Sequence, residues 1–399
     1  MYDPGASGTT DRVASGSGSW LWIEEVRLVN FRNYSQLIFS PSPRISLLYG
    51  HNGAGKTNLL ESIVYCTTGR SPRGVSEDAM LRKGTDFFKV TLRYRTDPGG
   101  SARSQAVSYM VQVGRRAQYN GKSVALHALV GQLPVVYFCP DDLWLIKTGP
   151  GARRALLDRL ITQLEPLYAD ALARYRRALL QRNAVLHGIR SGSRQPAALA
   201  IWDAQLVHYG AEIMRRRQAV VGRLTVAAQE VFARISVGEN QLGLQYQAGL
   251  RENTSTSEDC NWSACLERAL AEGITTDVRQ GATGAGPHRD DVVIRMNHQL
   301  AKTYASQGQQ RIACLAIRLA ERDLFRQEVG YLPVLLLDDV LSELDLMHRR
   351  RLETILAEEG QVFLTSTESS MSRTEDPSIH QFEVAADRID RQTYVPSPM

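Results

Sequence analysis

The stretch GHNGAGKT, residues 50–57, has the residue types and spacing of a loop that binds nucleotide phosphates. It matches GxxxxGK(S/T) in full, with an apolar strand pattern before it and a helical pattern after it. Its glycines let backbone N–H groups surround the β- and γ-phosphates at a helix N-terminus, where the dipole favours anions. The charge of Lys56 suits those phosphates, and the Thr57 hydroxyl suits Mg²⁺. The predicted nucleotide contacts are Gly50, His51, Asn52, Gly53, Ala54, Gly55, Lys56, Thr57 and Asn58.

Two adjacent carboxylates end a second apolar run, VLLLDDVLSELD at residues 334–345. Asp338 is suited to hold Mg²⁺ beside Thr57, directly or through water. Asp339 is the candidate for polarising the attacking water, as general base or by orienting it. Acids after a strand also cap a following helix, but two adjacent aspartates exceed that need. Lys56, Asp338 and Asp339 are therefore the predicted catalytic residues, and Thr57 and Asp338 the predicted metal ligands.

A polar helix start, SQGQQR at residues 306–311, is the third candidate site. Apolar residues recur after it at helical spacing, which predicts a buried helix. Its N-terminus offers free N–H groups, the Ser306 hydroxyl, close approach at Gly308 and the amide of Gln309. Taken alone, the stretch favours a plain serine cap, so a functional interpretation depends on the other motifs.

The elements that position these residues follow from the hydrophobic pattern. Alternating and apolar runs predict strands over 20–49, a helix over 57–68 and an antiparallel β region over 85–138. Residues 152–235 are helical in pattern, with two amphipathic stretches of roughly 35–40 Å each. Apolar runs after residue 276 suit parallel strands. We predict an α/β fold with four segments: a disordered extension 1–19, an ATPase lobe over 20–145 and 276–399, and a helical arm 146–275.

The predicted arm carries a concentrated positive charge. Residues 151–223 hold thirteen arginines, no lysine and five acids, a net charge of +8, against +5 for the whole chain. Such a patch is typical of a polyanion-binding surface, although arginine-rich helices are also often simply solvated. The candidate phosphate contacts are Arg153, Arg154, Arg174, Arg176, Arg177, Arg182, Arg215, Arg216 and Arg217, and the family resemblance described below implies that the polyanion is DNA.

Composition narrows the class of protein. The chain has 399 residues, 43% hydrophobic and 22% charged, which indicates a soluble globular protein of about two domains. No stretch of the sequence reaches the roughly 18 uninterrupted apolar residues that would predict a membrane helix. The Gly/Ser-rich first residues lack the apolar centre of a secretory signal. The five cysteines have no metal-binding spacing, which favours reduced thiols in a cytoplasmic protein.

The order of the three motifs resembles that of ABC-type ATPases: a phosphate loop, an S-x-G-Q helix start, and then a strand ending in acids followed by SELD. In that class, the signature helix of one subunit closes over ATP held by the phosphate loop of another. The resemblance implies that Ser306, Gly308 and Gln309 contact the γ-phosphate of a partner's ATP, and that Asp345 lies at the dimer seam. ATP would then hold a homodimer together, and hydrolysis would release it.

An ordered set of further stretches resembles the RecF family: LVNFRNY, GHNGAGKTNLLESI, GRSPRG, GPGARRALLD, QRNAVL, TGAGPHRDD, ASQGQQR and LLLDDVLSELD. The resemblance implies an ABC-type ATPase head like those of SMC and Rad50 proteins. It comprises a mixed β-sheet with a Walker A core, an antiparallel β region, and a helical arm lobe inserted between the Walker A and signature motifs.

The same resemblance implies an ATP-dependent dimer that binds duplex or gapped DNA. It further implies weak DNA-dependent ATP hydrolysis with Mg²⁺, an association with the nucleoid, and cooperation with RecO and RecR in RecA loading and the SOS response. Arg32 in NFRNY matches a position that touches nucleotide phosphates in related heads.

Some features differ from the wider ABC pattern. The second carboxylate is Asp339 rather than glutamate, as is usual in the RecF family. No histidine follows the strand at FLTSTE, where Thr365, Ser366 or Thr367 are the alternatives. The Q-loop falls in the neighbourhood of FCPDD (138–142), and His288 in GPHRDD has either a ligand-binding or a hinge role.

Two other functions compete with the RecF-like interpretation. A nucleotide-binding subunit of an ABC transporter predicts about 100–120 residues between phosphate loop and acidic strand, whereas Lys56 and Asp338 are 282 positions apart. A structural DNA-binding protein with a vestigial nucleotide site would show no ATP turnover.

Overall fold

The structure is a computed structural model that describes residues 21–96, 100–238, 240–250, 261–358, 360–367 and 379–391. The predicted disordered extension 1–19 lies outside the described residues. The mixed α/β architecture agrees with the predicted fold class.

An antiparallel sheet forms from the first part of the chain, in the order β2-β1-β4-β5-β6-β7. Its strands are β1 Trp22–Phe31, β2 Tyr34–Phe39, β4 Phe87–Arg95, β5 Arg103–Met110, β6 Gly114–Tyr119 and β7 Lys122–Val124. β4, FFKVTLRYR, alternates exposed and buried residues, as expected for a sheet with one face on a core and one in solvent.

A central sheet has the strand order β15-β14-β3-β13-β12-β8. Its strands are β3 Ile45–Tyr49, β8 Val135–Phe138, β12 Val334–Leu337, β13 Val362–Ser366, β14 Ile379–Ala385 and β15 Arg388–Arg391. All its pairings are parallel except that of β14 with β15. β8 lies inside the range predicted as antiparallel, and that part of the prediction is wrong: VVYF is buried on both faces and pairs in parallel with β12.

Helices cover both faces of the central sheet. The α-helices in the described residues are α1 Lys56–Thr68, α2 Trp144–Lys147, α3 Pro150–Leu164, α4 Leu167–Arg190, α5 Ala200–Ile235, α6 Trp262–Gln280, α7 Ala301–Tyr304, α8 Gln307–Val329 and α9 Leu346–Glu358. Of these, α1 and α8 contact strands of the central sheet. A third sheet joins β9 Leu242–Gln247, β10 Asp291–Met296 and β11 Gln299–Leu300, in the order β11-β10-β9. The predicted segment limits at 145/146 and 275/276 fall inside α2 and α6.

Alternation along β12 divides the core in two. Leu335 and Leu337 face the core that contains the arm helices and α8, whereas Val334 and Leu336 face the core under the antiparallel sheet. α5 extends from the arm to pack along α8, so the arm and the signature helix share one hydrophobic core. In the described ranges, no helix is long and apolar enough to cross a membrane.

Candidate nucleotide-binding site

The phosphate loop lies between the end of β3 and the start of α1. Gly50, Gly53 and Gly55 have φ of 149°, 82° and 113°, values that glycine adopts readily and other residues rarely do. At Gly55 a side chain would also collide with its surroundings, because a Cβ would lie 2.6 Å from the Asn33 amide nitrogen and 2.7 Å from the Tyr34 hydroxyl. The Tyr34 hydroxyl donates to the Gly55 carbonyl at 3.1 Å. The loop is therefore fixed from the outside by the NFRNY stretch.

Lys56 folds back over this loop. Its Nζ donates to the carbonyl oxygens of Gly50 (2.5 Å) and His51 (3.0 Å). Burial lowers the pKa of Lys56, while the charges of Asp339 and Asp338 oppose that effect. The ammonium is thus desolvated and held next to the loop backbone, where an anionic phosphate gains more from it than it would in water.

Asp338 accepts hydrogen bonds from three hydroxyl groups. Its Oδ1 accepts from the hydroxyls of Thr57 (3.0 Å) and Thr365 (2.7 Å), and its Oδ2 accepts from Tyr137 at 3.2 Å. Burial raises the pKa of Asp338, and the three hydroxyl bonds oppose that shift. The structure therefore joins the phosphate loop, β12, β13 and β8 at one carboxylate.

The donor set fits Mg²⁺. The Thr57 hydroxyl and the Asp338 carboxylate are hard oxygen ligands that already lie within 3.0 Å of each other. In the described residues, no group of three or more His, Cys, Asp or Glu side chains forms a metal cage. That is the arrangement expected for Mg²⁺, which takes one or two protein oxygens and completes its shell with phosphate and water.

Asp339 has a strained backbone and an available oxygen. Its φ is +50°, its N–H donates to the Thr365 hydroxyl at 2.8 Å, and its Oδ1 is buried with no hydrogen-bond donor in the described part of the chain. A buried carboxylate oxygen without a donor is costly and is typical of functional sites. Of the three hydroxyl residues left open by the sequence, Thr365 bonds both aspartates, whereas Thr367 is exposed.

Sequence reasoning missed three side chains that build the loop's surroundings. Asn33 accepts from the Asn58 amide at 2.7 Å, and Arg73 donates to Asn58 Oδ1 at 3.2 Å. Glu61 is fully buried and bonds Ser71 at 2.6 Å. The stretches NFRNY and GRSPRG signalled Asn33 and Arg73, because both carry polar residues that the motif itself does not explain, whereas Glu61 lies in neither stretch.

Arg32 lies against α1 rather than over the phosphate loop. Its Nε and Nη2 bond the two carboxylate oxygens of Glu61 at 2.9 and 2.8 Å. Its Nη1 donates to the Ala79 carbonyl at 2.5 Å. In this geometry the guanidinium fixes the second turn of α1, and its contact with phosphate stays a prediction.

The signature residues form a helix cap that faces solvent. The Ser306 hydroxyl accepts from the Gln309 N–H at 3.2 Å, and the Gln309 side chain accepts from the Ser306 N–H at 2.8 Å, which is a capping box. At Gly308 a Cβ would meet no atom within 4 Å. The packing of this chain therefore does not explain why position 308 carries no side chain.

Asp345 lies on the same side of the molecule as this cap. It accepts from the N–H and the Nδ1 of His348 at 3.0 and 2.6 Å, and these bonds lower the pKa of Asp345. The Arg311–Glu343 ion pair, 2.9 Å, joins α8 to this stretch. A cavity of about 310 Å³ is lined by residues of both parts, among them Ser306, Gly308, Gln309, Asp345 and His348. No phosphate-loop residue lines it. The structure thus brings the signature residues together with Asp345 and apart from Lys56.

Two predicted DNA contacts are corrected by the structure. Arg182 is fully buried and bonds Asp203 (2.6 Å) and Asp277 (2.7 Å), so it joins α4 to α5 and α6. Arg217 is 2% exposed and bonds Asp158 (2.7 Å) and Asp290 (2.8 Å). Neither guanidinium reaches the surface. The carboxylates compensate for the burial of each positive charge, so both arginines have a structural role.

The other predicted DNA contacts are at or near the surface. Arg153 bonds Asp291 at 2.6 Å, and Arg154 donates to the Asp290 carbonyl at 2.7 Å. Ion pairs also hold Arg174 to Asp170, Arg176 to Asp158, and Arg216 to Glu165 and Glu212. Arg177 and Arg215 are exposed.

Known proteins resemble this chain over nearly its whole length. It matches the family described as RecF/RecN/SMC N terminal domain over residues 22–389. The DNA replication and repair protein RecF of Moorella thermoacetica is 37% identical over 378 residues, 94% of this chain and 98% of that protein. A solved structure of the recombination mediator protein RecF with ATP in the RecFOR pathway has 30% identity and a TM-score of 0.86, covering 94% of this chain and 99% of its own.

A more distant structural neighbour shares the fold alone. The Smc head domain from Pyrococcus furiosus is 14% identical and has a TM-score of 0.55, over 94% of this chain and 96% of its own.

Proposed function

This chain belongs to the RecF family of DNA replication and repair proteins, and we propose that it is an ATP-operated switch that binds DNA as a dimer. ATP and Mg²⁺ are the proposed cofactors. The observation that carries the proposal is the division of the nucleotide-binding residues into two separate surfaces, one around Lys56 and one around Ser306.

In the first surface, the loop amides and Lys56 would hold the phosphates of ATP. Thr57 and Asp338 would hold Mg²⁺, which neutralises phosphate charge when it is bound. The buried Oδ1 of Asp339 is free to accept a proton or a hydrogen bond from the attacking water. Thr365 positions both aspartates, since its hydroxyl donates to Asp338 and accepts from the Asp339 backbone.

In the second surface, Ser306, Gly308 and Gln309 would meet the γ-phosphate bound by another copy of the chain. The exposed cap supports this role, because its Ser306 hydroxyl and helix N–H groups favour an anion and Gly308 leaves room for close approach. Asp345 would lie at the same seam. Hydrolysis would remove the γ-phosphate that both copies bind and so release the dimer.

DNA is the proposed ligand of the dimer, as duplex or at gaps and single-strand/double-strand junctions. Among the predicted arm contacts, Arg177 and Arg215 are the exposed cations best suited to phosphate, with Arg153, Arg154, Arg174, Arg176 and Arg216 beside them. We further propose a cytoplasmic, nucleoid-associated role in recombinational repair with RecO and RecR, supporting RecA loading and the SOS response, with slow DNA-dependent ATP hydrolysis.

The transporter alternative has no support. The curated relatives are named as DNA replication and repair proteins, and a basic helical region fills the long interval between the phosphate loop and the acidic strand. A vestigial nucleotide site is also disfavoured, since Lys56, Thr57, Asp338 and Asp339 keep a connected geometry.

The mass of the full chain in solution, with ATP, ADP or no nucleotide and with or without gapped duplex, tests the proposal. We expect a dimer with ATP alone and tighter DNA binding in that state. Ser306→Arg should bind ATP as the wild type does and remain a monomer, because the arginine occupies the seam. ATP-dependent dimerisation of Ser306→Arg would contradict the exchange of signature residues between copies.

A further inference from the structure

The solvent-facing side of the antiparallel sheet carries a row of polar and basic side chains. Lys89 on β4 pairs with Ser108 on β5, and Ser108 pairs with Arg116 on β6. The row beside it runs through Arg27, Thr91, Ala106 and Gln118. Residues 82–122 as a whole contain nine Lys and Arg against two acids, although the sequence pattern singles out only the arm as basic.

Carboxylates neutralise one end of this face only. Glu24 bonds Arg93 at 3.2 Å and also pairs with Arg95, and Glu25 pairs with Arg27. Lys89 and Arg116 lie at the other end, are exposed, and have no carboxylate within ion-pair distance in the described part of the chain. The charges of these two side chains are therefore available to an external anion.

The arm offers the opposite case. Many of its arginines are held by acids of the same chain, as in the pairs of Arg153 with Asp291, Arg182 with Asp277 and Arg217 with Asp290. The net charge of the arm sequence thus exaggerates the charge it presents to a ligand. Residues 82–122 are the second basic segment, in which acids also hold Arg93, Arg95 and Arg115. Lys89 and Arg116 remain exposed and unneutralised in the described part of the chain.

We infer that the outer face of this sheet, centred on Lys89, Ser108 and Arg116, binds the phosphate backbone of DNA. The inference rests on the proposed function and assigns it a surface outside the arm. The two cations stand two strands apart, about 10 Å. Duplex DNA carries roughly one negative charge per 1.7 Å of its axis, so one duplex can meet both cations at once.

The side chains between the cations suit a phosphate backbone. Ser108, Thr91 and Gln118 donate hydrogen bonds to phosphate oxygens, and their small or flexible side chains do not hold DNA away from Lys89 and Arg116. Such contacts give affinity without sequence readout and fall steeply with salt. An acidic protein would instead need an apolar anchor, for which the exposed Phe87 and Met110 at the end of the face are the candidates.

The test is the affinity of the full chain with ATP for a fluorescent gapped duplex, measured by anisotropy over a series of NaCl concentrations. The double variant Lys89→Glu/Arg116→Glu should bind about tenfold more weakly or worse. The negative slope of log affinity against log salt should become shallower by about 2, because two phosphate contacts are lost. Lys89→Gln/Arg116→Gln should lower the slope by the same amount, since it removes the same two contacts without adding repulsion.

A matched control is Arg268→Glu/Arg279→Glu on α6, which makes the same change in net charge at two exposed arginines. We expect it to keep the wild-type salt slope. If the wild type itself fails to bind DNA with ATP, the proposed function fails. If the wild type binds and both sheet variants bind with its affinity and slope, this inference is overturned and the face is left to a protein partner. Loss of the ATP dimer in the sheet variants would also overturn it, by assigning the face to the seam between copies.

Discussion

Side chains around the phosphate loop bond one another across three strands and a helix, whereas Ser306 and Gln309 at the start of α8 bond each other within one helix turn. Asp338 alone accepts from Thr57, Thr365 and Tyr137. Ser306 and Gln309 cap each other and face solvent. The side chains of the first surface are held in place by other residues of the same chain. In the second surface, the space at Gly308 is filled by no other residue of the described part of the chain.

The difference between the two surfaces explains how one polypeptide could separate ATP binding from ATP-dependent dimerisation. A preorganised loop pays little reorganisation on binding ATP, so it can hold the nucleotide in a monomer. In the proposed dimer, the signature cap would contribute only when a second copy brings a γ-phosphate to it. Variants of the first surface should therefore change every ATP-dependent property, whereas variants of the second should spare ATP binding and change dimerisation together with the properties that depend on the dimer.

The largest expected effect is on hydrolysis, at Asp339→Asn. Asparagine fits the φ of +50° and the shape of the side chain, but it cannot accept a proton from water. We expect ATP turnover to fall by about 10²–10⁴-fold, with the ATP dimer lasting longer, as measured by phosphate release and solution mass. Asp86→Asn, at an exposed aspartate, is the control. Turnover at the wild-type rate would remove Asp339 from the chemistry.

Lys56→Ala should come next in size. The variant loses a desolvated ammonium beside the loop, so ATP affinity should fall roughly 10–100-fold by calorimetry, and dimerisation with it. Lys83→Ala, at an exposed lysine, should bind ATP as the wild type does. If Lys56→Ala still dimerises like the wild type at low ATP concentration, dimerisation does not depend on ATP held by the phosphate loop. That result would contradict the proposed division of roles between the two surfaces.

The arm shows where sequence reasoning fails. Charge counting found thirteen arginines and five acids in the arm segment but not the partner acids outside it, since Arg182 and Asp277 are 95 positions apart and Arg153 and Asp291 are 138 apart. Only the packing of α6 and β10 against the arm brings those partners together. A local count of charges therefore overestimated the positive charge that the arm presents at its surface.

Other parts of the site show the same difference between features set by local sequence and features that need distant partners. The phosphate loop and the Ser306 cap could be predicted because each is a contiguous motif whose geometry depends on local backbone. β8 was assigned to the wrong sheet, since four apolar residues suit either kind of strand until the partner β12 is known. The role of Thr365 needed the parallel register that brings β13 beside Asp338.

A pair of glycine substitutions gives the smallest and sharpest test of the two surfaces. Gly55→Ala places a Cβ 2.6 Å from Asn33 Nδ2 at φ +113°, so the monomer should lose roughly 1–3 kcal/mol of stability and bind ATP weakly. Gly308→Ala meets no atom within 4 Å and should leave the free energy of unfolding of the monomer unchanged or raise it by up to about 1 kcal/mol. Its added methyl should nevertheless weaken the ATP dimer by about 1–2 kcal/mol, because the partner's phosphate must approach that position. Thermal unfolding without nucleotide and dimer dissociation with ATP separate the two effects, and a Gly308→Ala variant that dimerises like the wild type would mean that position 308 faces no partner.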